Sequence, residues 1–136
     1  MLAELLNSGY GNKEDLNCAE KILYGANEVY KLGLDKEALK MAAGFGGGMG
    51  IEDKCGAVTA AIMVLGRLFV NERAHESTKV KDLTIELIDR YREEMGDIDC
   101  KPLKEMHRTE EVKCKYVIIK AAEILDSIVE RENVIK

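Results

Sequence analysis

The sequence predicts an all-α domain, and three observations predict it. Apolar residues recur at steps of three and four along most of the chain, a single proline interrupts it, and no segment alternates with the two-residue period of a strand. The expected architecture is a compact bundle of about five helices. At its centre stands an apolar helix with a Gly-rich turn before it. At 136 residues and 15.2 kDa the chain is one domain, residues 1–136, long enough to bury roughly two-thirds of its unfolded surface without covalent staples.

Taken in order, Met1 to Leu6 is apolar but short, carries Glu4, and lacks the basic lead-in of an export signal. Leu16, Ala19, Ile22, Leu23, Ala26, Val29 and Tyr30 form the stripe of a first helix, with Asn12 or Asp15 as its expected cap and Gly33 as its terminator. A short helix is expected from Asp35, its N-cap, through Leu39 to Ala43. The run Gly44-Phe45-Gly46-Gly47-Gly48-Met49-Gly50 is too rich in glycine for regular structure. Asp53 is placed to cap the next helix, whose apolar run Ala57 to Val70 is too short to cross a bilayer and reads as buried. Ser77 or Thr78 starts another helix, striped by Val80, Leu83, Leu87, Ile88 and Tyr91 and closed by Gly96. Residues 97–109 read as a connector around Cys100 and Pro102, and a last helix runs from about Glu110 to Arg131.

Charge narrows the function. Lys and Arg (20) are outnumbered by Asp and Glu (25), the net charge is −5, and the two signs are interspersed. With no Trp and few other aromatics, neither a basic face nor a stacking platform for nucleic acid is visible. No nucleic-acid or membrane partner is expected, and a cytoplasmic location follows. There, thiols stay reduced, which makes structural disulfides a poor explanation for Cys18, Cys55, Cys100 and Cys114.

The glycine run fits neither a dinucleotide fingerprint nor a P-loop, because the glycine spacing fails and no Gly-Lys-Ser/Thr follows. It reads as a tight turn between closely packed helices, or as a turn whose N–H groups face something negative near Cys55. The cysteines are 37, 45 and 14 positions apart, which matches no zinc-finger or C-x-x-C spacing. They read as buried small hydrophobes, or as four thiols gathered from four segments. On this reading Cys18 and Cys114 project inward from helix stripes, and Cys55 lies in a first helical turn that lowers its pKa. His75 and His107 stand in polar contexts as surface residues. His75-Glu76 does not continue into a zinc-protease signature, because Lys79 occupies the second histidine position.

The segments Leu16-Asn17-Cys18-Ala19-Glu20, Gly44 to Gly50 and Cys55-Gly56-Ala57-Val58-Thr59-Ala60, followed by Cys100 and Cys114, resemble the C_GCAxxG_C_C family over nearly the whole chain. Lys54 stands where the family label has a glycine before the second cysteine, and Ala60 replaces its closing glycine. The resemblance implies a redox role, with an oxidoreductase or an electron-transfer module as its form. The expected cofactor is an iron–sulfur cluster on Cys18, Cys55, Cys100 and Cys114, soft thiolates suited to it, with zinc or no metal as alternatives. Amides around Gly46, Gly47, Gly48 and Gly56 would donate to the cluster, and Lys54, Lys101, Lys113 and Lys115 flank three of its ligands. The alternative function is thiol–disulfide exchange, with Cys55 attacking and Cys18, Cys100 or Cys114 resolving. A third is a helical assembly module with structural zinc or merely buried thiols. A redox partner protein is expected, and exposed helix faces leave room for a homodimer.

Overall fold

A computed structural model of the chain describes residues 1–132. Among them are seven α-helices and no strand, two more helices than the periodicity predicts. They are α1 Leu2–Asn7, α2 Cys18–Val29, α3 Lys36–Leu39, α4 Gly56–Phe69, α5 Lys79–Met95, α6 Cys100–His107 and α7 Lys115–Glu132. No described helix is long and apolar enough to cross a membrane.

The first additional helix, α1, is held by a residue distant in sequence. Asp126 on α7 accepts the amides of Leu2 and Ala3, each at 2.9 Å, together with the Tyr30 hydroxyl. These are donors at a helix start that have no partner within the helix. Leu2 and Leu6 then bury their side chains, at roughly 1.5–3 kcal/mol each.

The cap of α2 is Asn17 rather than Asn12 or Asp15. Its side chain accepts the Glu20 amide at 2.9 Å, and Glu20 returns the bond to the Asn17 amide at 2.9 Å. This reciprocal pair satisfies two donors at once, which neither upstream residue can do from the preceding loop. Nor does Gly33 end the helix: the chain turns at Lys31, which is left-handed at φ 56°, and Gly33, also left-handed at φ 72°, lies two residues beyond. Asp35 does cap α3, accepting the Ala38 amide at 2.9 Å, and the chain tightens beyond it into a 3₁₀ segment, Lys40–Phe45.

Helix α4 is capped by Cys55, not Asp53; the Cys55 carbonyl accepts the Thr59 amide at 3.0 Å. It buries Gly56, Ala57, Ala60 and Ala61 among its small residues and packs on α2, α5 and α7. Helix α5 starts after Thr78 and ends where expected, at left-handed Gly96 with φ 93°. The second additional helix is α6, where a connector was expected. Pro102 sits in its first turn, where a missing N–H leaves no intrahelical bond unmade, so the proline does not break it. Helix α7 begins at Lys115 rather than Glu110, because Thr109 and Lys113 pair in both directions (2.8 and 3.2 Å) and hold 109–113 as a loop.

Candidate functional site

Each cysteine stands at the start of a different helix. Cys18 is the first residue of α2 and Cys100 the first of α6. Cys55 caps α4, and the Cys114 carbonyl accepts the Ile118 amide at 3.0 Å at the head of α7. All four side chains line one cavity of about 450 Å³. Four helix N-termini therefore converge on one space, each turning the positive end of its dipole towards it.

The local geometry is built from glycine. A Cβ on Gly56 would stand 2.7 Å from the Cys18 sulfur and 2.6 Å from the Phe45 carbonyl oxygen, so only glycine lets α4 meet α2 and the 3₁₀ segment here. Gly48, left-handed at φ 61°, lies against the Asp53 backbone and the Cys100 Cβ, which a Cβ of its own would meet at 2.5 and 2.7 Å. Of the four glycines expected at a cofactor, Gly47 and Gly56 line the cavity. Gly46 instead packs on Asn17, and Gly48 sits behind Cys100, so both act through packing rather than as cavity wall.

Cys55 and Cys100 are buried, whereas Cys18 and Cys114 are half-buried, and all four are free thiols. Among the described residues no three His, Cys, Asp or Glu side chains are grouped to hold one metal ion. Burial pushes the Cys55 thiol up to about 12, against the opposing pull of the Val58 and Ala57 amides. This overturns the expected low-pKa thiol. The first-turn amides are present, but removal from water outweighs them. Cys100 is also raised, again by burial, with Lys104 opposing. Tyr91 is fully buried and donates to the Val117 carbonyl at 3.0 Å. Its phenol is raised above the usual tyrosine range, chiefly by burial.

Of the flanking lysines, Lys113 and Lys115 line the cavity. Lys54 is turned to Asp99 at 2.7 Å instead, and Lys101 is exposed away from the cavity wall. Sequence reading missed Lys21, Lys104 and Arg108, which also line it. The signal was available for two of them: Lys21 is three residues after Cys18, and Lys104 four after Cys100, on the same helix faces. His107 is half-buried and bonds the Met95 carbonyl at 2.9 Å through Nε2, outside the cavity.

No curated protein matches the chain, and no solved structure does. A family model described as "Putative redox-active protein (C_GCAxxG_C_C)" matches residues 16–128, a span that holds all four cysteines and the glycine turn. The chain belongs to the C_GCAxxG_C_C family.

Proposed function

We propose that this chain holds an iron–sulfur cluster through Cys18, Cys55, Cys100 and Cys114 and works as an electron carrier. The observation that carries the proposal is the convergence of four thiols, each at a helix start, on one cavity. Thiolates are the soft donors that such clusters take, and four is the usual number. A cavity of about 450 Å³ lined by all four thiols leaves room for a multi-iron group. Bound there, the cluster would supply one-electron chemistry.

The chain's own part is electrostatic and steric. Cys55 keeps its proton near neutral pH until positive charge stands against the sulfur, so ligation there releases a proton. The Ala57 and Val58 amides face the same sulfur and favour its anionic form. Burial of Cys55 and Cys100 excludes water from the inner wall, while Gly56 allows the Cys18 sulfur to approach α4.

Anaerobic incubation with ferrous iron, sulfide and reductant, followed by desalting, tests the proposal. The expected product carries iron and sulfide in near-equal amounts and shows a visible charge-transfer band. Replacing any one cysteine by serine should reduce retained iron at least several-fold. A wild-type protein that emerges colourless and free of iron and sulfide overturns the proposal.

A further inference from the structure

The side-chain charges around the cavity are not used by the four helix starts, and they lie on its outer part. Lys21 and Lys115 are half-buried cavity-lining cations, and Arg108 is exposed at the rim. Among the described residues no carboxylate lies within 4.0 Å of any of these three. The Lys21 ammonium donates instead to the neutral Asn12 side chain at 2.6 Å. The other two lining cations are compensated, Lys104 by Glu52 at 3.1 Å and Lys113 by Glu110 at 3.9 Å. The carboxylates that line the cavity, Asp15 and Glu111, are exposed, as Arg108 is, and water screens all three more than it screens half-buried Lys21 and Lys115. A chain of net charge −5 thus keeps uncompensated positive charge at the edge where the two more accessible thiols, Cys18 and Cys114, stand.

We infer that this edge is a binding site for small carboxylate-bearing reactants, drawn in and held by Lys21, Arg108 and Lys115 beside the Cys18 and Cys114 sulfurs. The concavity favours a small molecule over a protein face, since about 450 Å³ is the volume of a metabolite-sized pocket. Positive charge at the mouth of a cleft raises the local concentration of anions and their rate of arrival. If the thiols carry a cluster, the same edge is where a small anionic electron acceptor would arrive. The inference itself needs only the cavity and its charges.

The test uses the metal-free, reduced protein, so its outcome is independent of iron binding. Two disulfide reagents are compared: dithio-bis-nitrobenzoate, with a carboxylate on each ring, and the uncharged dithiodipyridine. In each case a protein thiolate attacks the reagent's S–S bond, a mixed disulfide forms, and one aryl thiolate leaves with the electron pair of the broken bond. The rate ratio of charged to uncharged reagent, divided by the same ratio for mercaptoethanol, is expected to be on the order of tenfold at low salt and to fall as salt rises. The double variant R108Q/K115Q should lose most of this preference while keeping its reaction with the uncharged reagent. Succinate should slow the charged reagent at concentrations where neutral succinamide does not. A ratio no greater than that of mercaptoethanol, or one that salt does not alter, overturns the inference. So does competition by polyglutamate with none by succinate, which would assign the edge to an acidic protein. Should the double variant fail to fold, the salt and succinate measurements on the wild-type chain decide the matter.

Discussion

The thiols of the cavity form two unlike pairs, an inner half that is buried and an outer half that is more exposed. On one side Cys55 and Cys100 are clamped by their own backbones: the Cys55 amide donates to Ile98 at 2.8 Å, the Cys100 amide donates to Asp53, and Lys54 and Asp99 pair as an isolated bridge between them. Both thiols are buried, and both are pushed up by that burial. Cys18 and Cys114 instead stand at helix starts reached from loops, half-buried, with Lys21 and Lys115 close to them in sequence, and the Cys18 sulfur also lies against Gly56 of α4. Two thiols are therefore held in a dry wall, and two stand in a charged, wetter one. The inner pair is the more tightly held, and the outer pair the more accessible.

The largest effect should come from the packing of the inner half. Gly48→Ala places a Cβ 2.5 Å from the Asp53 amide nitrogen and 2.7 Å from the Cys100 Cβ, at a left-handed φ of 61°. Overpacking against backbone together with the left-handed penalty should cost about 3 kcal/mol, read as a lower denaturant midpoint at unchanged m-value. Gly50→Ala is the matched control. It is left-handed too, at φ 77°, but nothing lies within 4 Å of its Cβ, and its cost should be about 1 kcal/mol. Equal costs at the two positions would mean that backbone conformation alone explains these glycines and that the close approach to Cys100 has no energetic weight.

Replacing the thiols one at a time compares the halves directly. Cys55→Ser puts a hydroxyl at a 3% exposed position whose surroundings suit a small apolar group, and should cost about 2 kcal/mol in the metal-free protein. Cys114→Ser, half-buried on the charged side, should stay within about 0.5 kcal/mol of wild type. Iron retention after reconstitution should fall in both. Metal binding would then be spread over both halves while fold stability is concentrated in one. Comparable stability losses would erase the distinction.

Much of this arrangement was legible in the sequence, and the parts that were not share a physical cause. The stripes of α2, α5 and α7 follow directly from apolar spacing, as does left-handed Gly96, because local chemistry decides them. The starts of α1 and α6 were not legible. The first depends on Asp126, more than a hundred residues away, and the second on Pro102 falling in a first turn, where it is tolerated. The four cysteines could be singled out by residue type, and their convergence came only with the fold. Cys55 shows the limit best. A helix start argues for a lowered thiol pKa, but sequence cannot weigh that gain against the loss of water around the sulfur, and the loss is the larger effect.

That inversion has a smaller, pH-dependent consequence confined to the inner half. In the folded protein Cys55 titrates at about 12, above its ordinary value of 9.0, so the native state holds this proton more tightly than the unfolded chain does. The sign follows from linkage. The associated stability is fully present below about pH 9 and is lost as pH rises toward 12, because only the unfolded thiol ionises freely in that window. At about pH 10 the loss should be on the order of 1 kcal/mol, the most that one pH unit of differential proton binding can give. Lysines and tyrosines titrate in the same range, so the informative quantity is a difference between proteins. Metal-free Cys55→Ala should lose less stability than wild type between pH 8.5 and pH 10, about 1 kcal/mol less by denaturant midpoint. Cys114→Ala, on the wetter side, should track the wild-type curve. Parallel curves for all three proteins would show that water reaches the Cys55 sulfur after all, and the two halves of the cavity would then be one.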